Sequence, residues 1–112
     1  MYEYAATIVE VVDGDTVHLN VDLGLDQTRF LKVRIVGINA PEKATQAGKD
    51  AKAWAQAILP LGSAVVIRTV KDRTEKYGRY LAAIIMAQDA DYATLAISTG
   101  HAVAWDGKGP RP

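Results

Sequence analysis

There is no cysteine among the 112 residues. That excludes disulfides and thiolate metal sites and leaves the fold to be held by burial alone. Nor is there a surplus of either charge: 13 Lys and Arg stand against 13 Asp and Glu, a formal net charge of zero. Proteins that coat nucleic acid passively carry a basic excess, so that class is disfavoured, whereas an enzyme gripping a few phosphates locally is not. No run approaches the roughly 20 apolar residues of a membrane helix, and no membrane partner is expected. The opening Met1-Tyr2-Glu3-Tyr4 lacks the basic start and apolar stretch of a secretion signal. A cytoplasmic location is the expectation, in a host cell or in the setting of a phage or mobile element. Internal repeats and low-complexity tracts are missing too. What remains is ordinary globular composition, 49% hydrophobic and 23% charged, with length for one domain. The expected division is a monomeric domain over 1–106 and a flexible tail over 107–112.

Hydrophobic period organises that domain. The stretch from Thr7 to Val12 is rich in β-branched residues and reads as a strand, and Asp13-Gly14 signals a turn. Beyond it Val17, Leu19, Val21 and Leu23 alternate with Thr16, His18, Asn20 and Asp22, which predicts a hairpin. After a loop near Gly24 to Gln27, a third strand is expected over about Arg29 to Ile38. The period then changes: Ala47, Ala51, Trp54, Ala55 and Ile58 recur at helical spacing, ended by Pro60 and Gly62. Two further strands follow, near Ser63 to Val70 and Tyr80 to Met86, joined by the charged segment Lys71 to Arg79. A shorter helix starts near Asp91 as its N-cap and stops at Gly100. A last extended piece, Ala102 to Trp105, is placed to pair with the sheet. Five strands with a helix between the third and fourth is the order of an OB-fold barrel, in class α+β and mostly β.

Three polar motifs interrupt this apolar background. Asp13-Gly14-Asp15-Thr16 is on its own a solvated hairpin turn, but a turn can also aim Asp15 at a hard cation that prefers oxygen ligands. Arg34 sits on the third strand, whose tip delivers Asn39-Ala40-Pro41-Glu42. Pro41 fixes the local backbone, and a carboxylate so held can take a proton from water. Thr74-Glu75-Lys76-Tyr77-Gly78-Arg79 is a charged loop that supplies a second guanidinium, suited to charge on phosphoryl oxygens. His18, His101 and Ser98 have no partner at metal or triad spacing, and Trp54 reads as core.

Taken in order, these motifs make the chain resemble the staphylococcal (micrococcal) nuclease, or thermonuclease, family from about Thr7 to Trp105. The resemblance implies calcium-dependent attack of water on phosphorus, cleaving DNA, and RNA as a second candidate, with 3′-phosphate ends. By position it implies catalytic roles for Arg34, Glu42 and Arg79. It implies Ca2+ ligation by Asp15, Asn39 and the backbone carbonyl of Ala40, and substrate binding by Lys76 and Tyr77. Trp105 lies near nucleotide-site tyrosines of that family and either stacks a base or plugs the barrel end. Two departures stand out. Asn39 replaces a metal-binding aspartate and removes one negative charge, which predicts weaker or altered metal binding. The family's type member also continues into another C-terminal helix, which this sequence lacks. The rival expectation is a catalytically weakened module that only binds nucleic acid or protein; retention of Arg34, Glu42 and Arg79 together argues against it.

Overall fold

The computed structural model describes residues 2–74, 78–107 and 110, and for 70–74 the backbone alone. In chain order its elements are β1 (Tyr2–Asp13), β2 (Thr16–Gly24), β3 (Gln27–Ile35), β4 (Ile38–Asn39), α1 (Gln46–Ile58), β5 (Ala64–Thr74), β6 (Tyr80–Ile85), α2 (Tyr92–Ser98) and β7 (Val103–Ala104). Five of the strands close a barrel in the order β1-β2-β3-β6-β5. All pairs are antiparallel except β3 with β6. This is the OB-fold expected from the order of elements.

Alternation explains most of the interior. Val17, Leu19 and Val21 of β2 and Val33 and Ile35 of β3 are buried inside the barrel, each side chain stabilising the fold by about 1.5–3 kcal/mol. β1 breaks the rule, because Ile8 and Val11 are three apart yet both buried. A register shift between Ile8 and Glu10 supplies the extra residue that resets the phase, and a second lies between Val11 and Asp13. Such bulges bend a strand and re-aim its end, here the end that carries the acidic turn.

Helix α1 starts at Thr45, whose extended backbone and Oγ1, accepting from the Gly48 amide, make an N-cap. Its buried face is Gly48, Ala51 and Ala55, small residues that let the helix lie close against β1. Asp91 caps α2 as expected, accepting from the Thr94 amide.

Three differences from the sequence reading have physical causes. β1 begins at Tyr2 rather than Thr7, because Tyr2 to Thr7 pair with Thr69 to Ala64 of β5, and no local pattern announces a distant partner. The third strand does not run to Ile38. It breaks where Gly37 takes φ +86°, a region only glycine enters without strain, and Ile38 and Asn39 leave the barrel. The segment after Ala102 joins them rather than the barrel sheet: Ile38 pairs with Ala104 and Asn39 with Val103. At the β2–β3 tip, Leu25 (φ 54°) and Asp26 (φ 61°) form the left-handed central pair of a tight hairpin turn, with the one glycine, Gly24 (φ 80°), just ahead of them.

Candidate active site

The turn between β1 and β2 consists of Gly14 and Asp15, since Asp13 and Thr16 are still paired. Two-residue hairpin turns usually need positive φ at one or both positions. Neither Gly14 nor Asp15 has it. Gly14 is required for space instead: a Cβ there would lie 2.9 Å from Ala40 Cβ and 3.2 Å from Ala51 Cβ. The turn is braced locally by the Asp15 amide, which donates to Asp13 Oδ1 at 3.0 Å.

Asp15 is only 4% exposed. A buried carboxylate persists only when paired and hydrogen-bonded, and this one is both. Its Oδ2 accepts from the Ala40 amide at 2.9 Å and stands 3.5 Å from Arg34 Nη1, while its Oδ1 accepts from Thr16 Oγ1 at 3.1 Å. Burial alone would raise its pKa; hydrogen bonds from Asp13 and the Ala40 amide, with the Arg34 charge, overcome that and hold it below the ordinary value.

Arg34, at the end of β3, is 8% exposed. Nη1 donates to the Ile35 carbonyl and Nη2 to the Ile38 carbonyl, each at 3.0 Å. The kink at Gly37 therefore has a purpose in the site: it brings the Ile38 carbonyl back onto the guanidinium. Trp105 lies against the same group, its ring centroid 5.7 Å from Arg34 Cζ, a cation–π distance. The Trp105 amide donates to the Gly37 carbonyl. Parallel pairing of Arg34 with Leu81 places Arg79, just ahead of β6, beside it. Arg79 Nη1 donates to Thr16 Oγ1 at 3.2 Å, so Thr16 links that guanidinium to Asp15.

Glu42 occupies the loop before α1, where its backbone carbonyl accepts from the Thr45 amide at 3.0 Å and from Thr45 Oγ1 at 2.6 Å. The same hydroxyl caps the helix, so the loop is tied to the start of α1 while the Glu42 side chain stays exposed. Asp15, Arg34, Ala40, Glu42 and Arg79 thus meet around one polar pocket of about 120 Å³, completed by Asp13, Pro41 and Lys43. A larger groove of about 450 Å³ between β1 and α1 is walled by Val9, Leu59 and Leu61 and holds no comparable cluster of charge.

Not every sequence candidate comes to this pocket. Asn39 is buried, at 7% exposure, in β4 and is not part of the pocket wall. Trp105 lies against Arg34 and is not among the residues lining the pocket. Lys76 and Tyr77 lie outside the described residues. Sequence reasoning passed over Asp13 and Lys43 as members of the wall. For Asp13 the signal was present, two carboxylates either side of a glycine in a turn; for Lys43 there was none beyond adjacency to Glu42.

Asp13 and Asp15 share a side-chain hydrogen bond. Burial, that bond and the Asp15 charge push Asp13 up to about 6, so only below about that pH is one proton shared by the two carboxyl groups. In a chelator solution Asp13 contributes stability that is full below about pH 4 and is lost as pH rises through about 6. Asp15 has the opposite sign, its contribution being lost as pH falls below the ordinary carboxylate value. Stability without added metal is therefore expected to peak between the two. Asp13→Asn should abolish the decline from pH 4.5 to 7 and raise stability at pH 7. Partial exposure of Asp13 screens the effect to about 1 kcal/mol. Urea unfolding in EDTA at both pH values checks this; parallel losses in parent and variant would contradict it.

The pocket's oxygen ligands include the carboxylates of Asp13, Asp15 and Glu42, the kind a hard cation such as Ca2+ takes. The upward push on Asp13 comes in part from the neighbouring Asp15 charge, which a cation would relieve. Asp15, Asp13 and the pocket-lining Ala40 thus fit such an ion in kind. In number they are few: among the described residues no three His, Cys, Asp or Glu cluster as a metal site.

A protein-family model described as staphylococcal nuclease homologue matches residues 32–111. That span takes in Arg34, Glu42 and Arg79 and begins after the acidic turn. In a comparison with curated proteins, endonuclease YhcR of Bacillus subtilis (strain 168) is 27% identical over 111 aligned residues, covering 89% of this chain. The chain spans only 9% of that protein's length.

Proposed function

The chain belongs to the staphylococcal nuclease family, and from that premise we propose that it hydrolyses phosphodiester bonds in DNA, and in RNA as a second substrate, with Ca2+ as cofactor and 3′-phosphate products. The observation that carries this reading is the meeting of Arg34, Glu42, Arg79 and Asp15 around one polar pocket. A phosphodiester needs those groups: a base for water, donors for the phosphoryl oxygens, and an acidic seat for a cation.

Asp15, with Asp13, the Ala40 carbonyl and the Asn39 amide oxygen as further candidates, would hold the ion. When bound, Ca2+ supplies charge stabilisation at a phosphoryl oxygen. The chain's own groups do the rest. Glu42, tied to the start of α1 by its carbonyl, accepts the proton of the attacking water as its oxygen bonds to phosphorus. The bond from phosphorus to the 5′-oxygen breaks, and that oxygen takes a proton from solvent. Arg34 and Arg79 offer N–H donors to the oxygens on which charge grows. Arg34 is pre-set for this, because the Ile35 and Ile38 carbonyls fix its plane. Lys76, Tyr77 and Trp105 are proposed to hold the flanking nucleotides.

The test is cleavage of single-stranded DNA and RNA with Ca2+, Mg2+ or EDTA, with end-group analysis of the products. Cleavage undiminished in EDTA would sink the metal-dependent reading, and binding without cleavage would favour a binding module. Asn39→Asp restores one negative charge in the residue next to Ala40, whose amide holds Asp15. It should lower the Ca2+ concentration for half-maximal activity about tenfold; an unchanged requirement would remove Asn39 from the ion's surroundings.

A further inference from the structure

We propose that Tyr92 is a positioning residue for the acidic turn, holding Asp15 in place through the Gly14 carbonyl. The effect on activity rests on the nuclease reading; the effect on the turn does not. Tyr92 opens α2, is 0% exposed and is the largest fully buried side chain of the core. A phenylalanine would fill that space as well, so the hydroxyl calls for an explanation, since a buried O–H costs free energy unless it is bonded. Its partner is the Gly14 carbonyl, at 2.6 Å, from a residue 78 positions away in sequence.

That carbonyl belongs to the peptide group joining Gly14 to Asp15. The opposite edge of the same planar group is the Asp15 N–H, which donates to Asp13 Oδ1 at 3.0 Å. One peptide plane is therefore held at both edges, and rotation of that plane would swing the Asp15 side chain. The turn needs such help, because its backbone is not of the type that two-residue hairpins favour. The register shift between Val11 and Asp13 loosens the ladder just before it. Tyr92 is in turn held from α1: the Trp54 ring lies 5.4 Å from its own, and His101 stacks on Trp54 at 4.7 Å. Burial first, then the charges of Asp15 and Asp13, push the phenol well above its ordinary pKa, so it remains a donor at every working pH.

Tyr92→Phe removes only the hydroxyl. The readout specific to positioning is the Ala40 amide, which donates to Asp15 Oδ2 and reports where that carboxylate sits. Hydrogen exchange at Ala40 should speed up at least tenfold beyond any change at Ile67 in the barrel core, which registers general destabilisation. In the cleavage assay kcat should fall about tenfold with KM within twofold. If Ala40 exchange changes only in step with Ile67, the proposal is overturned and Tyr92 is core alone. A parent protein that cleaves nothing would end the nuclease reading, while the exchange comparison would still decide the role of Tyr92. Should Tyr92→Phe not fold, Trp54→Phe, which keeps the hydroxyl and thins its support, must accelerate Ala40 exchange over Ile67, and no such difference would likewise overturn the proposal.

Discussion

Glu42→Gln should lower kcat for DNA cleavage by about 10²–10⁴-fold, the range for loss of a positioned general base, with little change in KM or stability. The separation of effects follows from how the residue is built in. Its side chain is exposed, and surface changes of that kind alter stability by less than about 0.5 kcal/mol. Its place in the loop is set by the backbone, through the carbonyl that accepts from both the amide and the hydroxyl of Thr45, and glutamine keeps that carbonyl. The amide side chain also keeps nearly the same volume while losing the ability to take a proton. Steady-state kinetics with thermal denaturation of both proteins gives the answer. Activity within tenfold of the parent would mean that water is activated elsewhere, and the pocket offers Asp13 as the next carboxylate. A variant that unfolds would instead show that the side chain has a structural role its exposure does not suggest.

Much of the barrel and the better part of the pocket were readable from residue order, for reasons that differ by element. Alternation at Val17, Leu19 and Val21 carries its own evidence, because a half-buried strand must repeat every two residues. Thr45 and Asp91 do what short polar side chains ahead of apolar helical spacing generally do, and Asp91 was recognisable as a cap. Arg34, Glu42 and Arg79 were identified by motif, and the fold then brings them together: pairing of β3 with β6 sets the two arginines side by side, and the loop before α1 carries Glu42 to the same pocket. What stayed hidden depends on partners distant in the chain. The break at Gly37 follows from a pairing with Val103 and Ala104; read locally, Ile35 to Ile38 is a continuous apolar strand. Gly14 was read as a turn former, whereas its need is room against Ala40 and Ala51, which only tertiary packing reveals. Asn39, singled out with Ala40 by motif, is buried in β4 next to it, and only Ala40 lines the pocket; how two neighbours divide between wall and interior is set by tertiary packing that the motif does not carry.

Gly48→Ala illustrates the same point with the opposite sign from the one helix propensity supplies. Within an exposed helix the change would stabilise by about 1 kcal/mol. Here it should destabilise by about 3 kcal/mol, at the upper end for forcing extra volume into a packed site. A Cβ on Gly48 would stand 1.9 Å from the Glu42 carbonyl oxygen, 2.5 Å from its carbon and 2.8 Å from Lys43 Cα. All three are backbone atoms, so no side chain can swing aside to make room. Either α1 moves off β1, exposing Ala51 and Ala55, or the loop carrying Glu42 moves. The second course also strains Thr45, whose hydroxyl donates to the Glu42 carbonyl while accepting from the Gly48 amide. A melting temperature lower by about 10–20 °C is expected for a domain of this size. Cleavage should also fall about 10²-fold at temperatures where the variant is fully folded, since a displacement near 1 Å is enough for that. Glu42→Gln in the Gly48→Ala background then becomes the discriminating measurement. If the helix seat acts through Glu42, the second change adds far less than its full factor, because a displaced base has little left to lose. Full additivity would show that the loop keeps its place and α1 alone gives way. A rise in melting temperature would mean that the close approach of Glu42 to Gly48 is not a feature of the folded protein.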